Sequence, residues 1–129
     1  MESLSNPDRV RRRLRDSLKV AMRARDGVAT LAIRSAMSAI DNAEAVDLSH
    51  APPPKRGTVG DIRLGVGAAE AARRELSAQE VVEVIRAEVT DRLEAAVEYE
   101  RLGRTDEASR LKAEANALAS ILEAPPEEP

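Results

Sequence analysis

The strongest constraint on the fold lies between Leu76 and Leu122. Ser77-Ala78-Gln79-Glu80 is a capping box, in which the Ser77 hydroxyl accepts from the amide three residues on while the Glu80 carboxylate reaches back to the cap. Leu76 and Val81 flank it as a hydrophobic staple. Val81, Val82, Ile85, Val89, Leu93, Ala96 and Val97 then recur at helical spacing as far as Leu102. Gly103 suits the left-handed position that ends a helix, and Thr105 is placed to cap the next one. Ala108, Leu111, Ala115, Leu118, Ile121 and Leu122 form the inward face of that helix. The pattern predicts helices over about 78–102 and 106–123, turned tightly on each other.

A second pair is predicted upstream, over about 7–25 and 28–45. Asn6-Pro7-Asp8 supplies an N-cap side chain, a proline at the first helical position and an acid facing the positive helix end. Val10, Leu14, Leu18, Ala21 and Met22 mark one apolar face, and Gly27 separates this helix from the next. There, Ala32, Ala36, Met37, Ile40 and Ala43 make a narrow face of mostly small residues. Between the pairs, 46–76 reads as a connector. Ala51-Pro52-Pro53-Pro54-Lys55-Arg56-Gly57 cannot continue a helix, and Gly60, Gly65 and Gly67 follow. Thr58 to Val66 suits a short extended piece and Ala68 to Arg74 a helical turn or two. The expected architecture is all-α: an antiparallel four-helix domain over 1–124, made of two helical hairpins joined by a long Pro/Gly-rich connector, with a disordered tail at 125–129.

Composition narrows the chemistry. Tyr99 is the only aromatic residue of 129, so a core must come from Ala, Val, Leu and Ile, and base stacking is not available for recognition. There is no Cys, which excludes a disulfide scaffold, a thiolate zinc site and a thiol nucleophile. No apolar run approaches the ~18 residues of a membrane span, and the Met-Glu-Ser start is unlike a signal peptide. A soluble, cytoplasmic protein without a membrane partner is expected.

No candidate catalytic constellation stands up. His50, the only imidazole, lies in the connector with nothing to orient it, and there is no nucleophile elbow. Gly65-Val66-Gly67-Ala68-Ala69-Glu70 places a glutamate where a dinucleotide fingerprint needs its third glycine. The many carboxylates of the third helix have no helical His beside them for a di-metal site. Glu88 alone lies close to the apolar stripe, with Arg92 four residues on in the favourable orientation, so a structural ion pair is expected there. Catalytic residues, metal ligands and cofactors are therefore all expected to be none.

Charge is uneven. Residues 1–45 hold nine Arg/Lys against six Asp/Glu, whereas residues 77–129 hold six against thirteen. On the first helix Arg9, Arg12, Lys19 and Arg23 fall opposite Val10, Leu14, Leu18 and Ala21, a row able to span several phosphates. Asp16 sits amid the row and dilutes it. The same row also reads as an ordinary solvated face.

Particular residues resemble the GatB/YqeY family. Leu18-Lys19-Val20-Ala21-Met22-Arg23-Ala24-Arg25-Asp26, Ile33-Arg34 and Ile40-Asp41-Asn42-Ala43-Glu44 are similar to its N-terminal helical hairpin. Leu76-Ser77-Ala78-Gln79-Glu80-Val81, Glu88, Arg92, Leu102-Gly103-Arg104-Thr105-Asp106, Glu114 and Leu118 continue the resemblance, which covers about 8–45 and 76–122. It implies an all-helical module related to the tail of the B subunit of aspartyl/glutamyl-tRNA amidotransferase, which contacts tRNA. It also implies a shortened member with a long connector, because the family's second, smaller helical unit would follow the fourth helix and the sequence given ends at Pro129.

The resulting expectation is a non-catalytic module that binds tRNA or associates with an amidotransferase complex, presenting Arg9, Arg12, Lys19, Arg23 and Arg34. The resemblance adds Arg34 and Arg104 to the nucleic-acid set. Their alternatives are a carboxylate pair on the third or fourth helix for Arg34 and a turn-shaping role for Arg104. The alternative function is a protein-interaction or homo-oligomerising bundle, favoured by any apolar face left uncovered. A further one is carbon–nitrogen ligation with glutamine as amide donor, within a complex only.

Overall fold

The computed structural model describes residues 6–49 and 75–123. They form four α-helices and, among the described residues, no strand: α1 (Pro7–Arg23), α2 (Gly27–Ser49), α3 (Ala78–Arg101) and α4 (Thr105–Glu123). The all-α four-helix architecture is as expected. Most of the connector, with His50, Gly65, Gly67 and Glu70, and the tail at 125–129 lie outside the described residues.

The helix starts follow their local chemistry. Asn6 Oδ1 accepts from the Asp8 amide at 2.8 Å ahead of Pro7. The Ser77 capping box is complete, the Glu80 amide donating to Ser77 Oγ at 3.1 Å and the Ser77 amide to Glu80 Oε1 at 2.8 Å. α3 ends in a Schellman motif. The Gly103 amide donates to the Glu100 carbonyl and the Arg104 amide to the Tyr99 carbonyl, with Gly103 at φ +77°.

Helix boundaries differ from expectation by one to four residues, and Thr105 is the first residue of α4 rather than its cap. α1 ends at Arg23 rather than 25, in the same motif, with Arg25 in the left-handed position at φ +59°. The Arg25 and Asp26 amides donate to the Met22 and Ala21 carbonyls. Gly27 is therefore not the separator but the first residue of α2, and Asp26 caps that helix, its Oδ1 accepting from the Ala29 amide at 3.0 Å. α2 runs through Ser49, four residues into the assigned connector, because Val46-Asp47-Leu48-Ser49 contains neither glycine nor proline.

α3 and α4 share the most extensive contact, α2 packs on both, and α1 and α4 meet least. Contacts Met22–Arg34 and Arg11–Glu44 step backward along α1 as they step forward along α2. Val10, Leu14, Ile33, Ile40, Val81, Ile85 and Leu118 are the large buried side chains, spaced by Ala32 and Ala36. Ile33 belongs to the core although the small-residue face omitted it. Met22, Leu93, Val97 and Leu102 were expected on buried faces, yet all four are exposed. Periodicity identifies a shared face, but in the second half of the α3 stripe Ala96 is buried while Leu93 and Val97, at the edge of the stripe, stay exposed.

Candidate nucleic-acid interface

α1 buries Val10, Leu14 and Ala21 and thereby turns its opposite side outward. Arg12, Lys19 and Arg23 are exposed and Arg9 is half-buried. None of the four has an ion pair or a side-chain hydrogen bond among the described residues. Asp16 is exposed within the row, and neither Arg12 nor Lys19 bridges to it. Over the 14 residues from Arg9 to Arg23 the helix rises about 21 Å.

Neighbouring cations are differently employed. Arg11 Nη2 donates to Glu44 Oε2 at 2.6 Å, and Arg13 Nη1 donates to the Ile121 carbonyl at 3.3 Å, in the last turn of α4. These contacts consume the inward-leaning arginines and leave the outward ones free. Arg15, three residues after Arg12 and four before Lys19, is also exposed and unpaired among the described residues. The line directly opposite the core omits Arg15, although the i+3 and i+4 spacings place it beside that line.

Arg34 is exposed on α2 and touches α1 at Met22, its Nη2 lying 3.8 Å from the sulfur. Its alternative role, pairing with a carboxylate of the later helices, finds no such partner among the described residues. Arg104 is elsewhere, on the turn between α3 and α4. Its Nη2 donates to Glu107 Oε2 at 2.8 Å and its guanidinium lies 5.5 Å from the centre of the Tyr99 ring. The Glu107 hydrogen bond and charge hold the Arg104 guanidinium above its ordinary value. The Arg104 hydrogen bond in turn holds the Glu107 carboxyl below its own. This geometry gives Arg104 a part in the turn, apart from the α1 row.

Behind the surface, two carboxylates are buried among the described residues. Glu44, 4% exposed, accepts from Arg11 and, at 3.3 Å, from the Leu76 amide, fastening the approach to α3 onto α2. Glu114, 5% exposed, accepts from Arg92 Nε at 2.9 Å. Arg92 Nη1 reaches Glu88 Oε1 at 2.8 Å, the i,i+4 pair, and Glu88 Oε1 also accepts from Ser35 Oγ at 3.0 Å. Burial alone would push the Arg92 guanidinium down, but hydrogen bonds and charge from Glu88 and Glu114 outweigh it and hold it above its ordinary value. The Ser35–Glu88–Arg92–Glu114 chain joins α2, α3 and α4 through the interior. Its chemistry is that of a structural clasp, every charged member having an opposite partner. Among the described residues no three Asp, Glu or His side chains gather as a metal site, and no helix is long and apolar enough to cross a membrane.

No protein-family model matches the chain, and neither a curated protein nor a solved structure does.

Proposed function

We propose that the chain is a non-catalytic helical module that binds RNA through the outer face of α1, with tRNA as the ligand suggested by the GatB/YqeY resemblance. The observation that supports this reading most is the row Arg9, Arg12, Lys19 and Arg23 on one face of α1, none of them in an ion pair or side-chain hydrogen bond among the described residues. Recognition is by phosphate and shape, since Tyr99 is half-buried and there is no other aromatic side chain to stack on a base. Association with an amidotransferase complex belongs to the same proposal, whereas a glutamine-dependent ligase role within such a complex is a separate alternative.

The test is fluorescence anisotropy of labelled bulk tRNA with the full chain, at low and near-physiological salt. An Arg12→Glu, Lys19→Glu, Arg23→Glu variant, checked for helicity, runs beside it. The expected result is a log–log salt slope of about −3 for four neutralised phosphates, with binding lost in the variant. Absence of binding at low salt overturns the proposal.

A further inference from the structure

Between α1 and α2 the chain turns through Ala24-Arg25-Asp26. The Arg25 amide donates to the Met22 carbonyl at 3.1 Å and the Asp26 amide to the Ala21 carbonyl at 2.9 Å. These bonds hold Arg25 at φ +59°, the one residue other than glycine with a positive φ among the described residues. The matching turn after α3 places Gly103 there, at φ +77°. A side chain at such an angle is strained, and strain of this kind clusters at sites of binding and catalysis.

Nothing inside the chain accounts for an arginine at this place. The Arg25 side chain is exposed and makes no ion pair or hydrogen bond among the described residues. Arg104, beside the second turn, is by contrast paired with Glu107 and lies over the Tyr99 ring. The negative end of the α1 dipole is already met by Arg23 in the last turn. Around Arg25 the charge is mostly of its own sign. Arg23 lies two residues back and Lys19 one turn further, while Arg34 of α2 reaches Met22 in the same last turn. All three are exposed, and none pairs with a carboxylate among the described residues. Asp26 adjoins the group, its Oδ1 accepting from the Ala29 amide, and Asp16 lies three residues before Lys19. Cations gathered from α1, the turn and α2 repel one another, and an anion set among them relieves that repulsion.

We propose that Arg25 binds a backbone phosphate of RNA, the turn projecting its guanidinium past the end of α1 beside Arg23 and Arg34. The inference rests on the reading of α1 as an RNA-binding face and extends that face onto the turn and α2. The guanidinium fork matches two phosphate oxygens, and a backbone fixed by two hydrogen bonds has little freedom left to lose on binding. Glycine at this position gives a more stable turn without the contact, so stability and binding are opposed at this residue.

The test titrates labelled bulk tRNA with the full chain across a range of salt, for Arg25→Asn, Arg25→Gly and Arg25→Lys, with thermal unfolding of each. Asparagine tolerates the left-handed angle and removes the charge, whereas lysine keeps the charge. Arg25→Asn and Arg25→Gly are expected to bind about fivefold more weakly at near-physiological salt, with a log–log slope shallower by about 0.9. Their Tm is not lowered, and Arg25→Lys keeps most of the slope. If the unaltered chain binds and Arg25→Asn matches it in affinity and slope, this inference is overturned while the α1 row stands as the RNA face. Weakening that tracks a lowered Tm, or an equal loss in Arg25→Lys, also overturns it, because the turn and not the charge then carries the effect. No binding by the unaltered chain at low salt overturns the RNA reading and this inference with it.

Discussion

Arg92 Nε on α3 lies 2.9 Å from Glu114 Oε1 on α4, while the other face of the same guanidinium holds Glu88 one turn back along α3. Glu114 is 5% exposed, so its charge is tolerated only because Arg92 is there. Arg92→Ala leaves that carboxylate buried and unpaired, and the expected loss is about 3–5 kcal/mol in urea unfolding. Replacing both partners, as Arg92→Met with Glu114→Leu, should recover much of it, because no orphaned charge remains. Equal losses in the single and double variants would show that the pair carries no such coupling.

The two Schellman turns make opposite use of the left-handed position. Gly103 occupies it at φ +77° with open space where a Cβ would sit, so Gly103→Ala should cost about 1 kcal/mol from backbone strain alone. Arg25 occupies the equivalent place at φ +59°. Arg25→Gly removes about 1–2 kcal/mol of strain and adds about 0.4–1 kcal/mol of unfolded-chain entropy. A net gain and a Tm raised by a few degrees are expected by calorimetry. A lowered Tm would place another, favourable contact on the arginine.

These positions show what the sequence made legible. Asn6 and Ser77 were read correctly as caps because their signals are contained within three residues. The turn after α1 was misread because a nearby glycine is the usual candidate, and nothing in Arg25-Asp26-Gly27 shows that the arginine takes the strained angle. Glu88 and Arg92 were found together because one helical turn joins them. Glu114 and Glu44 hold partners 22 and 33 residues distant, and only tertiary packing selects those pairs. Leu93 and Val97 fitted the α3 stripe, but periodicity does not say how wide the buried part of a stripe is. The cationic row of α1 was visible from spacing; which arginines lean inward to Glu44 and Ile121 was not.

The Glu44 carboxylate predicts a local readout of how the chain approaches α3. Its Oε2 accepts the Leu76 amide, while the next amide, Ser77, is held by Glu80. Glu44→Ala should raise the hydrogen-exchange rate of the Leu76 amide well above that of Ser77, relative to the unaltered chain. Equal acceleration at both would indicate that α3 frays as a whole and that Glu44 does not fasten Leu76 specifically.

At the far turn, the sign of a pH effect follows from Glu107. Its carboxyl is held below the usual range by the Arg104 hydrogen bond. A depressed folded value means that the contribution to stability is present above the unfolded value, about pH 4.3 for Glu. It is lost as pH falls through the lower folded value, as protonation releases Arg104. Because the pair lies at the surface, with Arg104 exposed and Glu107 half-exposed, the effect on stability is small and is best followed at the group itself. NMR titration of Glu107 should give a midpoint that rises in Arg104→Gln, along with the loss of ring-current shifts that Tyr99 imposes on the Arg104 side chain. A midpoint unmoved by the substitution would mean that Arg104 is not what holds the carboxylate ionised.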